Sequence, residues 1–79
     1  MAKHEIPLTM ASSCETITVT GFRAGSGLQR RLADMGFTQG VQIKIISSEP
    51  RGPMLIELRG SRLALGRGVA QHILVEVGQ

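Results

Sequence analysis

The sequence predicts a mainly β protein, a small antiparallel barrel of about five to six strands with one short α-helix. Several short segments alternate apolar and polar residues with a period of two, the pattern of half-buried strands. Glycines mark the breaks between these segments, and ten of them occur in 79 residues. A chain of this length has room for one domain, and its 42% apolar and 19% charged residues are typical of a folded one.

The first residues of the chain carry the weakest pattern. Residues 1–5 are polar and are expected to form a flexible tail, so that the single domain covers residues 6–79. Ile6, Leu8 and Met10 alternate and would lay a short strand or cover along the barrel.

The strand pattern is clearest from Thr16 onward. A Thr-Ile-Thr-Val-Thr run would place Ile17 and Val19 inward and end at Gly21. Three later segments repeat the alternation, with apolar positions at Val41, Ile43 and Ile45, at Met54, Ile56 and Leu58, and at Ile73, Val75 and Val77. Turn chemistry separates the later strands at residues 49–53, at Arg59-Gly60 before a strand over 61–65, and at Gly66 and Gly68 around a short turn or helical turn.

Both ends of the helix have sequence signals. The helix is predicted over residues 26–35, because Ser26 and Gln29 have the S-x-x-Q spacing of a capping box. Gly36 stands where a glycine in the left-handed conformation commonly ends a helix.

One face of this helix is apolar. Leu28, Leu32 and Met35 follow the helical period, and Phe37 is placed to contact Leu32 just beyond the helix end. The helix is therefore interpreted as a plug against the barrel core. The residues assigned a structural role are Ser26, Leu28, Leu32, Met35, Gly36 and Phe37.

Short strands, glycine-rich turns and one small helix favour a compact, partly open antiparallel barrel. An SH3-like barrel fits this pattern best. The OB-fold is the nearest alternative, but it usually needs more residues than this chain has.

Catalytic and metal-binding patterns are missing from the sequence. Cys14, His4 and His72 are isolated, with no Cys-x-x-Cys or His-x-x-x-His spacing, so neither a metal nor a cofactor is expected. No nucleophile elbow or P-loop occurs, and no enzyme activity is expected. The single cysteine favours a reducing compartment, and no apolar run is long enough for a signal peptide or a membrane span, so we expect a cytoplasmic protein without direct membrane insertion.

With catalytic and metal-binding patterns missing, the arginines are the remaining candidates for a functional role. The net charge is +3, and seven arginines outnumber two lysines. They favour either a docking face for an acidic partner or, alternatively, simple solvation of the barrel with Arg31 paired to Asp34 on the helix. Nucleic-acid binding is the rival interpretation, but two Phe and no Tyr or Trp leave little for base stacking or for a Pro-rich peptide groove.

The sequence resembles the ferrous iron transport protein A (FeoA) family. The specific part of the resemblance is the run Arg-Leu-Ala-Asp-Met-Gly-Phe over residues 31–37, with further matches at Gly21, Gly25, Leu28, Gly40, Ile43 and Ile45. Weaker matches extend it over residues 8–77, at Leu8, Glu15, Pro53, Ala64, Leu65, Ala70 and Ile73.

The resemblance implies an SH3-like barrel that acts in the cytoplasm as an accessory to a membrane ferrous iron transporter carrying a GTP-binding domain. Such a protein would act by protein–protein contact and reach the inner membrane only through its partner. The resemblance extends to the C-terminal barrels of iron-dependent repressors, which leaves a detached regulatory module as an alternative. Weak self-association through an open barrel edge also stays open. The residues hypothesised to bind the partner are Arg23, Arg30, Arg31 and Arg51.

Overall fold

Six antiparallel strands form one sheet, and the predicted mainly β, SH3-like barrel is confirmed. The computed structural model describes residues 4–11 and 16–77. The strands are β1 (His4–Pro7), β2 (Thr16–Phe22), β3 (Gln42–Ser48), β4 (Met54–Leu58), β5 (Ser61–Leu65) and β6 (Ile73–Val77). Their order in the sheet is β1-β6-β2-β3-β4-β5, so that β1 and β5 are its two edges.

Two helices and one 3₁₀ turn connect the strands. Helix α1 (Ser26–Asp34) lies between β2 and β3, and helix α2 (Arg67–Ala70) lies between β5 and β6. The 3₁₀ turn (Leu8–Met10) follows β1. The sequence predicted either a short turn or a helical turn near Gly66 and Gly68, and helix α2 is the helical turn.

The alternation of strand residues fixes which side chains enter the core. Inward positions such as Val19, Ile45 and Ile56 have no exposed surface. Burial of a Val or Ile side chain contributes roughly 1.5 to 3 kcal/mol, and these positions are the main favourable term in a domain this small. The buried hydrophobic residues form one cluster: Leu8, Ala11, Ile17, Val19, Leu32, Phe37, Ile43, Ile45, Met54, Ile56, Leu58, Leu65, Ala70, Ile73 and Val75.

The hairpin from β4 to β5 turns at Arg59 and Gly60, as predicted. Their φ angles are +52° and +84°, the two positive values that a type I′ turn requires. Arg59 is the one residue other than glycine with positive φ among the described residues. The turn sets the register of β5, which pairs with β4 without interruption over five residues.

The prediction for the first residues is wrong in part. His4 and Glu5 are not a tail but belong to β1, whose partner β6 lies at the other end of the chain. The alternation at Ile6 predicted a short strand or cover, but the start of the strand at His4 depends on the distant pairing with β6. Leu8 to Met10 form the 3₁₀ turn instead of continuing a strand, and Met1 to Lys3 lie outside the described residues.

Candidate interaction surface

The C-terminal end of α1 holds the helix against the barrel. Gly36 has φ +104°, and its N–H donates to the Ala33 carbonyl at 3.0 Å. The Phe37 N–H donates to the Leu32 carbonyl at 2.9 Å, which completes the Schellman pattern. Phe37 and Leu32 are both buried in the core cluster. The predicted helix end is therefore observed, with α1 closing one residue earlier at Asp34.

The N-terminal end of α1 differs from the predicted capping box. Ser26 is the first helical residue, Gly25 is the N-cap, and no side chain caps the helix. The Gln29 side chain donates to the carbonyl of Ala24 at 2.6 Å, one residue before the cap. The S-x-x-Q spacing failed as a signal because Gly25 adopts the extended cap conformation itself, which moves Ser26 inside the helix.

Met35 corrects the predicted apolar face of α1. Leu32 is buried and Leu28 is half-buried against the core, but Met35 is 44% exposed. Met35 is the C-cap of α1 and lines the space between α1 and β5 instead of the core.

Arg30 and Arg31 lie exposed on α1. Among the described residues neither side chain has a hydrogen bond or an ion pair, so the alternative pairing of Arg31 with Asp34 is not formed. Arg31 stands in the last turn of α1, where a cation is favoured by the helix dipole. Both guanidinium groups are thus available to external carboxylates.

Arg23 and Arg51 lie in segments that contact the two ends of α2. The backbone N–H of Arg23 donates to the His72 carbonyl at 2.8 Å, and His72 Nδ1 lies 2.8 Å from the Arg23 carbonyl oxygen. Because a carbonyl only accepts, Nδ1 carries the proton in this contact. Both arginine side chains are exposed, and they lie on segments separate from α1.

Arg67 is the arginine with a structural role, which the sequence did not single out. Its side chain donates to Ser48 Oγ at 2.9 Å and, through Nε at 3.0 Å and again through Nη2, to the carbonyl of Glu49. These bonds tie the first turn of α2 to the turn between β3 and β4. The fork of donors on a guanidinium explains why arginine occupies this position.

A groove that was not predicted from the sequence runs between α1 and β5. One chamber of about 360 Å³ is lined by residues that include Met35, Gly36, Leu58, Arg59, Ser61 and Leu63. A second chamber of about 180 Å³ is lined by residues that include Leu28, Arg31, Leu32, Met35, Ala64, Leu65 and Val69. Met35 lines both, so the two chambers adjoin. We call this feature the α1–β5 groove.

Other kinds of site find little support in the structure. Across residues 4–11 and 16–77, no three His, Cys, Asp or Glu side chains are grouped so that they could hold a metal ion, and Cys14 lies outside these ranges. Phe37 is fully buried and Phe22 is half-buried, so neither offers an exposed platform for stacking a base. None of the described helices has the length and hydrophobicity needed to cross a membrane.

The fold and this surface define a small SH3-like barrel that presents a groove and exposed arginines. The model of the FeoA domain family matches residues 6–77, and the chain belongs to the FeoA family. It is 40% identical over 70 residues to a protein of Methanocaldococcus jannaschii named "Putative Fe(2+) transport protein A", covering 89% of this chain and 84% of that protein.

One solved structure agrees with the family assignment, and a second shares the fold. The FeoA-like protein from Clostridium acetobutylicum is 34% identical, covers 100% of this chain and 92% of its own, and superposes with a TM-score of 0.84. FeoA of Stenotrophomonas maltophilia, solved in complex with zinc, has a TM-score of 0.74 at 23% identity, with 86% of each chain covered.

A manganese-dependent transcriptional repressor and T. acidophilum IdeR share the fold. T. acidophilum IdeR has a TM-score of 0.80 at 20% identity, covering 94% of this chain and 34% of that one. At this identity the likeness concerns the barrel alone.

Proposed function

We propose that this protein is a cytoplasmic accessory of ferrous iron uptake that docks on the cytoplasmic part of a membrane iron transporter carrying a GTP-binding domain. Family membership supports the link to iron. The relative from M. jannaschii is named for Fe(2+) transport, and the S. maltophilia protein is described as an SH3 domain protein with a suggested role as a ferrous iron transport activating factor.

The exposed arginines on α1 are the observation that carries the docking proposal. Arg67 is used internally, whereas Arg30 and Arg31 have no partner among the described side chains. Arginine forms strong, bidentate contacts with carboxylates, and such contacts are favoured at interfaces. An acidic surface on the transporter is therefore the expected counterpart, with Arg23 and Arg51 as additional contacts.

Charge reversal tests this proposal. Arg30→Glu with Arg31→Glu should reduce co-purification with the transporter from detergent-solubilised membranes at least tenfold. The single variants Arg31→Glu and Lys44→Glu change the net charge equally, and Lys44 is exposed on β3, opposite Thr16 of β2 and Glu57 of β4. Of these two single variants, only Arg31→Glu should weaken binding.

Circular dichroism accompanies these variants, because loss of α1 would abolish binding for another reason. If the double variant keeps its helix and its melting temperature and still co-purifies fully, the arginines of α1 are not the docking site.

A further inference from the structure

Strand β5 is an open edge of the sheet. It is hydrogen-bonded to β4 on one side, and no described strand pairs with its other side. Proteins usually protect an edge with proline, a bulge or very short length. Strand β5 has five residues, no proline and an uninterrupted register, so it retains the geometry needed to accept another strand.

The hairpin geometry shows which backbone groups are available at this edge. In a two-residue hairpin the residues flanking the turn, here Leu58 and Ser61, form a hydrogen-bonded pair, and bonded and non-bonded pairs then alternate. Arg62 and Ala64 fall on the non-bonded positions. Their N–H and C=O groups therefore point away from β4, toward the open side.

The α1–β5 groove runs along this open side. An added strand would place alternate side chains toward the groove and toward the outer face of the sheet. Side chains directed inward would meet the apolar chamber walls at Leu28, Leu65 and Val69. Side chains directed outward would lie opposite Arg62, which is exposed.

Charge selects among possible occupants of the groove. Arg59 and Arg31 each line one chamber, and Arg62 stands on β5. Two carboxylates lie nearby, Asp34 in the first chamber and Glu57 directly opposite Arg62 on β4, so the arginines are in excess by one. A basic rim around an apolar floor is complementary to a segment that combines acidic and apolar residues.

We propose that the α1–β5 groove binds an extended acidic and apolar segment of a partner protein, which adds to the sheet as a strand beside β5. About five residues would span the length of β5 at roughly 3.3 Å per residue. The proposal rests on the proposed function for the identity of the protein that carries the segment, but the binding itself is testable without the transporter.

The probe is a synthetic peptide of alternating Leu and Glu, five residues long and blocked at both ends, titrated into ¹⁵N-labelled protein. Binding should shift the amide signals of Arg62 and Ala64 and slow their hydrogen exchange. A peptide of alternating Leu and Lys should bind at least tenfold more weakly. A Leu and Glu peptide that is N-methylated on its strand-facing amides should also lose at least tenfold in affinity.

Ala64→Pro supplies the matched change in the protein. The Ala64 N–H is not part of the ladder with β4, so proline is compatible with this edge position but removes the donor that faces the added strand. Affinity for the Leu and Glu peptide should fall about tenfold, the equivalent of about 1.4 kcal/mol. Ala64→Val keeps the N–H and should bind within about threefold of the parent protein.

Several results would overturn the proposal. These are no binding at millimolar peptide, equal binding of the N-methylated peptide, or shifts confined to a surface other than the groove. Concentration-dependent dimerisation that Ala64→Pro abolishes, in a protein that binds no peptide, would assign the edge to a second copy of the chain. If the peptide binds but Arg30→Glu with Arg31→Glu leaves co-purification intact, the groove assignment holds and the arginine docking proposal fails.

Discussion

The two edge strands of the sheet, β1 and β5, differ in length, regularity and surroundings. Strand β1 has four residues, ends in Pro7 and runs into a 3₁₀ turn whose Leu8 is buried in the core. Strand β5 is regular along its whole length and borders an open groove. Proline and the turn limit further pairing at β1, and the same segment supplies core volume. One edge of the barrel therefore contributes to stability, whereas the other stays open beside the α1–β5 groove.

Leu8→Ala should have the largest effect on stability, because it removes packing that β1 and its turn contribute to the core. Leu8 has no exposed surface, and replacing a buried Leu by Ala typically costs about 3 kcal/mol or more. In a domain of this size that corresponds to a fall in melting temperature of more than about 10 °C, measured by circular dichroism or calorimetry.

Met10→Ala is the matched control in the same 3₁₀ turn. Met10 is 69% exposed, so this change should stay within about 0.5 kcal/mol. Equal losses for the two variants would show that the turn, and not the burial of Leu8, anchors β1.

Gly36→Val should have the next largest effect, at the point where α1 approaches the hairpin that carries β5. The φ of +104° is strained for any residue with a Cβ, and the added Cβ would lie 2.9 Å from Leu58 Cδ2. Backbone strain and displacement of a buried side chain together should cost about 2 kcal/mol, measured by urea denaturation.

Gly27→Ala is the control within α1. A Cβ at Gly27 meets nothing within 4 Å, and alanine is the better helix former, so stability should rise by up to about 1 kcal/mol. A similar loss for both glycine variants would mean that α1 tolerates no added side chain, and the special role of Gly36 would be refuted.

The sequence predicted one end of α1 and missed the other for a physical reason. Gly36 and Phe37 act through a local backbone pattern, so their types and positions carry the signal. The other end has no capping side chain. Gly25 is the N-cap through its extended backbone conformation alone, so the residue types around it did not mark the start of the helix correctly. Local signals also gave the inward strand positions and the Arg59-Gly60 reversal.

Features that depend on distant segments were predicted from the sequence only in part or not at all. Strand β1 exists because β6 pairs with it, and the α1–β5 groove exists because a helix early in the chain lies beside a later edge strand. Arg30, Arg31 and Arg67 look alike in sequence, and only the position of the turn between β3 and β4 makes Arg67 structural. The hypothesis that arginines bind the partner stays a prediction.

Thr20→Val should have the smallest effect and sharpens the account of the closed edge. Thr20 lies at the bulge where β2 shifts register against β6, and its hydroxyl donates to Glu5 Oε2 of β1 at 2.6 Å. Because this bond is exposed, its loss should cost only about 0.5 kcal/mol in global stability. Hydrogen exchange should reveal more, with faster exchange at β1 amides and unchanged exchange at β4. Unchanged exchange at β1 would mean that β1 is held by its pairing with β6 and by Leu8, and that the polar contact adds nothing to the closure of that edge.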